Sequence, residues 1–241
     1  VAQGVLKEPC VIRTHGGRAR AIESGELPID VAFVAAPTCD PYGNATGIEG
    51  PSACGSLGYG IVDARYAKRV VVITDNLVPY PLHHISIPQT VVDCIVKVDS
   101  LGDPSLISSG AIKRTRNPRD LMIADQIAEV IKHSGLLKSG LSLQAGSGGI
   151  SLSVTQRVSA MMREEGIQGD FMLGGITGVG VDLLKEGLFR ALLDVQSFDL
   201  EAVKSVGRTP GHVEIDSSFY ANPHTAGCAV NMVDVSVLSA L

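Results

Sequence analysis

The chain has 241 residues, 45% hydrophobic and 19% charged, with 20 basic against 25 acidic side chains and a formal charge of −5. That balance excludes a disordered polypeptide and argues against a general nucleic-acid binder. No apolar run approaches the ~20 residues of a membrane span, and the opening residues lack the apolar core of a signal peptide.

With 27 glycines, 12 prolines, no tryptophan and 4% aromatics, the core has to be built from Val, Ile, Leu and Ala. Such residues suit buried parallel strands. Apolar runs alternate with amphipathic segments, the pattern of βα units around a mainly parallel sheet. The runs predict strands at residues 10–13, 30–36, 70–74, 94–98, 141–144, 170–173, 191–195 and 234–238. A helix is expected over 58–68. The clearest one runs over 118–133: Asn117 is a good N-cap, Pro118 suits the first helical position, and Ile123, Ile127, Val130 and Ile131 form its apolar face. A third spans 151–165, with Val154, Val158, Met161 and Met162 facing inward as ordinary core. The polar stretch 102–117, with Lys113, Arg114 and Arg116, reads as a connector, either a solvated linker or a meeting place for phosphates.

Cys10, Cys39, Cys54, Cys94 and Cys228 are scattered without a CxxC pair. Neither a zinc site nor a disulfide framework is indicated, and small buried thiols in a reducing cytoplasm are the expectation. His83–His84 resembles a metal pair only superficially, and no metal is expected. Residues 29–36 read like 233–240, each with an aspartate before an apolar strand. Together with ends that look like neither natural terminus, this suggests a window cut from a longer protein with two related domains.

Chemistry-bearing residues gather at strand ends. Gln144–Ser151 runs from a strand through Gly146, Ser147, Gly148 and Gly149 into a helix. Backbone amides there suit a phosphate or a developing oxyanion. The spacing is neither a dinucleotide fingerprint nor a P-loop, and a tight strand-to-helix turn explains it nearly as well. A second glycine turn follows at Gly174, Gly175, Ile176 and Thr177, and the next strand ends at Gln196 and Ser197. Turns at the carboxyl ends of successive strands open on the edge where α/β ligands bind. In the first half, residues 13–20 concentrate Arg13, His15, Arg18 and Arg20 beside Gly16 and Gly17. The segment suits an anionic group, or is a surface loop held by salt bridges. Asn44 either hydrogen-bonds a ligand or closes its turn, and Asp75 is a further binding candidate at a strand end.

Residues 11–47, 52–81, 144–156, 171–188 and 192–203 together resemble the alpha subunit family of citrate lyase, its citrate CoA-transferase component. The resemblance spans nearly the whole chain and implies a CoA-transferase-like α/β fold of mainly parallel sheets with flanking helices. It implies two related domains, each incomplete: residues 1–116 as the later part of the first plus a linker, and 117–241 as the beginning of the second. It also implies acyl exchange between an acetyl thioester and citrate, giving a citryl thioester and acetate. The thioester arm would be CoA or a phosphopantetheine group arriving as substrate, with no permanently bound cofactor. Implied partners are a beta lyase subunit and a gamma acyl-carrier subunit in a cytoplasmic oligomer.

On that reading Gly148, Gly149, Gly174 and Gly175 supply the oxyanion amides, while His15, Arg18, Asn44, Asp75, Gly146, Ser147, Thr177, Gln196 and Ser197 bind substrate or arm. Related transferases use a glutamate nucleophile at the turn corresponding to 174–177. No Glu stands there, which favours direct attack without a glutamyl thioester. No Ser-His-Asp or Cys-His arrangement is evident as a rival nucleophile. Transfer or hydrolysis with another carboxylate, and a non-catalytic scaffold role, stay open as alternatives. A sugar-phosphate isomerase on the same fold is disfavoured.

Overall fold

The computed structural model describes residues 10–108, 115–146, 148–220, 222, 224, 225 and 227–232. The first half runs α1 (His15–Glu23), β1 (Val31–Ala35), β2 (Thr38–Cys39), β3 (Ala45–Thr46), α2 (Gly58–Tyr66), β4 (Arg69–Thr74), β5 (Asn76–Leu77) and β6 (Cys94–Lys97). The second runs α3 (Pro118–His133), β7 (Ser142–Gln144), α4 (Gly149–Glu165), β8 (Gly169–Ile176), α5 (Gly178–Lys185), β9 (Phe189–Ser197), α6 (Leu200–Ser205), β10 (His212–Glu214), α7 (Ser217–Tyr220) and β11 (Val230–Asn231).

Two parallel sheets carry the architecture. β1, β4 and β6 form one, with β4 central; β10, β9, β8, β7 and β11 form the other, in that order. β2, β3 and β5 make a small side sheet. The second core joins Ala124, Ala128 and Ile131 of α3 and Val154, Val158 and Met162 of α4 to Leu143, Met172 and Leu192 of the strands. Burying each larger aliphatic contributes about 1.5–3 kcal/mol, so Leu192→Ala at this fully enclosed position costs about 2–5 kcal/mol. In the first sheet, Ala32, Val34, Val70 and Val72 pack with Ile61 and Ala64 of α2. Among the described residues its opposite side is uncovered: Val31 and Phe33 alternate with the buried residues of β1, and Phe33 is 70% exposed.

The two halves meet along β9 and β10. Backbone atoms approach so closely that a Cβ on Gly58 would overlap the carbonyl oxygens of Val195 and Ile215, and one on Gly55 would overlap Ser197. Ser56 Oγ donates to the Asp194 carbonyl at 2.7 Å. The Glu214 carboxylate accepts Leu57 N–H at 2.6 Å and Ser86 Oγ–H at 2.6 Å, and lies 3.3 Å from His84 Nε2. Burial, followed by the charge of Glu214, pushes the neighbouring Cys54 thiol up to about 11.

The structure corrects several expectations: Val130, expected on the apolar face of α3, is 69% exposed, and Cys10 and Cys94, expected to be buried, are exposed. Residues 10–13 form no strand: Val11 and Ile12 are exposed and pair with nothing among the described residues, and Arg13 bonds Glu26 instead. Most of the segment 13–20, for which a surface loop is one of two readings, belongs to helix α1: Thr14 accepts the Gly17 N–H at its N-terminus, and Ala19, Ala21 and Ile22 are buried. Gly174 and Gly175 lie inside β8, not in a turn after it, because pairing with β9 continues across a register shift that skips Val195. The strand expected at 234–238, Lys113 and Arg114 lie outside the described residues.

Candidate active site

All five strands of the second sheet are parallel, so their carboxyl ends share one edge. Four helices follow these strand ends, and the first turns of α4 and α5, after β7 and β8, differ. α4 starts from Gly148, which makes no side-chain capping bond among the described residues, and such a helix start suits an anionic ligand. At α5, Thr177 makes no capping bond, but Gly178 N–H is taken by Asp199 Oδ2 at 2.7 Å. The other oxygen of Asp199 accepts Ala202 N–H at 2.9 Å, so one carboxylate starts both α5 and α6. Of the two glycine segments, Gly148–Gly149 sits at a helix start whose N-cap residue makes no side-chain bond among the described residues.

Gly174 adopts φ +109°, and a Cβ there would lie 3.3 Å from the Tyr220 ring and 3.5 Å from Gln144. At Gly175 a Cβ would overlap the Phe198 ring. Gly146, Gly175 and Thr177 share a crevice of about 10 Å³, room for roughly one water. The larger space is next door: a cavity of about 780 Å³ between the start of α1 and the 218–231 segment, lined by His15, Arg20, Tyr220, His224 and Asn231 among others. Tyr220 both lines it and covers Gly174, so the cavity opens beside the carboxyl ends of β7 and β8. His15 Nδ1 lies 3.0 Å from Tyr59 Oη, and its ring meets that of Tyr220 edge-on. Burial pushes the Tyr59 phenol up to about 12, and burial also raises the Tyr220 phenol against a hydrogen bond from Gln144.

The remaining expected residues are dispersed. Arg18 points away from this cavity, its guanidinium 2.8 Å and 2.9 Å from the two Asp63 oxygens. Asn44 closes a turn: its amide donates to Asp40 and Gln89, and its Oδ1 accepts Gln89 N–H. Asp75, at the end of β4, receives Ser52 Oγ–H and Leu101 N–H. Gln196 is exposed on β9. Ser197 is buried, donating to Asp194 Oδ2 at 2.6 Å. Ser147 lies outside the described residues. His84 of the histidine pair is committed to Glu214.

A Ser–His–Asp chain does exist, unseen in the sequence: Ser205 Oγ lies 2.9 Å from His212 Nδ1, and His212 Nε2 lies 3.1 Å from Asp194 Oδ2. The side chains of His212 and Asp194 are 0% exposed, and Ser205 donates onward to Thr209. Burial pushes the Asp194 carboxyl up, against its bonds from His212 and Ser197. With no route for substrate, the chain is a brace inside the second core.

Sequence reasoning missed Tyr220, Tyr59, Asp199 and Glu214. An Asp three residues before Ala202, starting a short apolar helix, is a capping signal that could have found Asp199. The 217–224 segment has no periodicity to betray Tyr220.

Parallel sheets with helices on their faces and a glycine-lined carboxyl edge define a CoA-transferase-type α/β fold. A 4-hydroxybutyrate CoA-transferase from Porphyromonas gingivalis superposes with a TM-score of 0.59 at 19% identity, over 90% of this chain and 52% of that one. The family described as "Citrate lyase, alpha subunit (CitF)" matches residues 1–241, and the chain belongs to that family. It is 52% identical over 241 residues to the citrate lyase alpha chain of Escherichia coli strain K12, covering 100% of this chain and 47% of the relative. The Haemophilus influenzae protein of the same name is also 52% identical, 48% of its length being covered. The chain thus spans about half the length of the curated relatives it matches. An alpha subunit of citrate lyase from Streptococcus mutans, solved in complex with citrate, aligns with a TM-score of 0.87 at 50% identity, over 93% of this chain and 44% of that chain. Among the described residues no helix is long and apolar enough to cross a membrane.

Proposed function

We propose that the full-length protein to which this chain corresponds exchanges the acyl group of an acetyl thioester for citrate. The supporting observation is the family match across residues 1–241, joined by the 50%-identical structure that holds citrate. A citrate carboxylate oxygen attacks the thioester carbonyl, and the C–S bond breaks to give a mixed anhydride and a thiolate. The thiolate then attacks the citryl carbonyl of the anhydride, and acetate leaves. Charge develops on a carbonyl oxygen in each step, so donors must already be aimed there. Gly148 and Gly149 at the start of α4 fit that task best. Gly174, Gly175, Gly146 and Thr177 shape the adjoining backbone, with Ser147 in the same loop.

Glu214, the last residue of β10, is only 5% exposed and is committed to Leu57, Ser86 and His84, which leaves it poorly placed to form a glutamyl thioester. Glu201 pairs with Lys204, Glu186 with Arg163, and Glu165 lies 3.9 Å from Lys132. This favours direct attack. The thioester arm, CoA or a carrier-borne phosphopantetheine, is a substrate rather than a resident group. A beta lyase subunit, a gamma acyl-carrier subunit, an oligomeric assembly and a cytoplasmic setting belong to the same reading. His15 is its best-placed substrate-binding residue; Arg18, Asn44 and Asp75 are held in structural bonds and take supporting roles.

Mass spectrometry of full-length protein with acetyl-CoA and citrate tests the proposal. Citryl-CoA and acetate, without enzyme-bound thioester, are the expected products. Activation of a different acid would refute the substrate assignment, and no transfer at all would refute the activity.

A further inference from the structure

We infer that the cavity between α1 and the 218–231 segment is a polyanion-binding subsite, with Arg20 and His224 holding the ligand's carboxylate or phosphate oxygens. This deepens the functional reading above and rests on it for the choice of ligand. The cavity has a volume of about 780 Å³, and alanine is the longest aliphatic side chain among its described lining residues. An apolar acyl chain finds no complement there; a ligand dense in charge and hydrogen-bond acceptors does. Its walls come from segments some two hundred residues apart in sequence, Thr14 to Glu23 on one side and Ser218 to Asn231 on the other.

Arg20 carries the argument. Its neighbours on the same segment are spoken for, Arg13 by Glu26 and Arg18 by Asp63. Arg20 is exposed on the cavity wall, and its guanidinium has no carboxylate or hydrogen-bond partner among the described residues. A planar guanidinium with unused donors matches a carboxylate or phosphate in a bidentate fork. His15 adds a second donor: the Tyr59 contact fixes its Nδ1 side, leaving Nε2 without a partner among the described residues. His224 reaches the cavity from the opposite wall and uses only its backbone N–H elsewhere. Among the described lining residues Glu23, one turn beyond Arg20, is the one acid, and it does not pair with Arg20. Tyr220 separates this subsite from Gly174, so an anion held at Arg20 extends a neighbouring group toward the carboxyl edge of β7 and β8.

Two sources offer this chemistry: the carboxylates of citrate and the phosphate of the thioester arm. Steady-state transfer by full-length protein, in wild type and in the Arg20→Gln and His224→Gln variants, separates them. Neither side chain is packed in a core, so both variants should fold. The expected result is a rise in KM for citrate of roughly ten- to a hundredfold, with kcat nearly kept and KM for acetyl-CoA unmoved. A rise confined to acetyl-CoA places the arm's phosphate in the subsite and equally supports a polyanion site. If wild type transfers normally and neither KM moves, the inference is overturned while the functional reading stands. If wild type transfers nothing to citrate, the functional reading falls. Calorimetric titration with citrate and with pyrophosphate then decides the cavity: weaker binding in Arg20→Gln supports it, and identical heats overturn it.

Discussion

Glu214 on β10 accepts the backbone N–H of Leu57, the residue before α2, at 2.6 Å. Its second oxygen receives Ser86 Oγ–H at 2.6 Å, while the side chain is only 5% exposed. A buried carboxylate is costly unless hydrogen bonds satisfy it. Here the donors come from the first half of the chain and the acceptor from the second, so this side chain ties the two together alongside the Ser56–Asp194 and Arg65–Asp216 bonds.

Glu214→Gln replaces one of these acceptors with an amide donor facing donors. We expect a loss of about 2–4 kcal/mol in denaturant unfolding, with two transitions appearing as the halves uncouple. A single unchanged transition would show that the other contacts suffice to join them.

His84 makes the same junction sensitive to pH. Its hydrogen bond to Glu214 raises the imidazole above its ordinary value of 6.5; burial opposes this, and the charges of Glu214 and Glu49 reinforce it. A histidine raised on folding contributes stability that is complete below the unfolded value and is lost as pH rises through the folded one. The melting temperature should therefore fall between about pH 6 and pH 8 from this group, and the slope should flatten in His84→Asn. An identical slope in the variant would remove His84 from the account.

Gly58 marks the tightest approach. A Cβ there meets backbone carbonyls, which cannot rotate aside as a side chain can. Gly58→Ala is expected to cost about 3 kcal/mol or more, read as a lower denaturation midpoint and faster proteolysis. Gly25→Ala is a useful comparison, because nothing lies within 4 Å of that site and only its φ of +76° is at stake.

Gly149 permits a direct test of this helix start. It is the first residue of α4, and the preceding Gly148 has φ −73° and ψ 160°, the conformation a following proline demands. Gly149→Pro deletes one amide hydrogen while keeping the helix. In full-length protein we expect the melting temperature to hold and kcat for transfer to fall by roughly 10²–10³. Unchanged kcat would move the oxyanion donor elsewhere.

How far the sequence reaches depends on what holds each element. α3 was readable to its bounds because its determinants are local: Asn117 caps it by accepting Arg119 N–H, and Pro118 opens it. α1 was not, because its buried side consists of small residues, Ala19 and Ala21 beside Ile22, and two glycines mask its first turn. Gly175 looked like a turn residue, yet it is glycine because the Phe198 ring lies on it, a contact made only across strands. β10 is three residues long and carries His212 and Glu214, which no local pattern singles out and which are fixed by partners distant in sequence. At the candidate site, the sorting of Arg18 to Asp63 and Arg20 to the cavity depends on which way each side chain leaves a helix that the sequence did not announce.

The uncovered side of β1 has a colloidal consequence. Two such surfaces meeting in water remove Phe33 and Val31 from solvent at about 25 cal/mol per Å² of apolar area, so the 241-residue polypeptide should scatter more light as it is concentrated. Neighbours on a strand face opposite ways, so Phe33→Lys charges that side and leaves Ala32 and Val34 packed on α2. A higher concentration threshold for association, at unaltered melting temperature, is the outcome we expect. Equal scattering in the variant would mean that association has another seat.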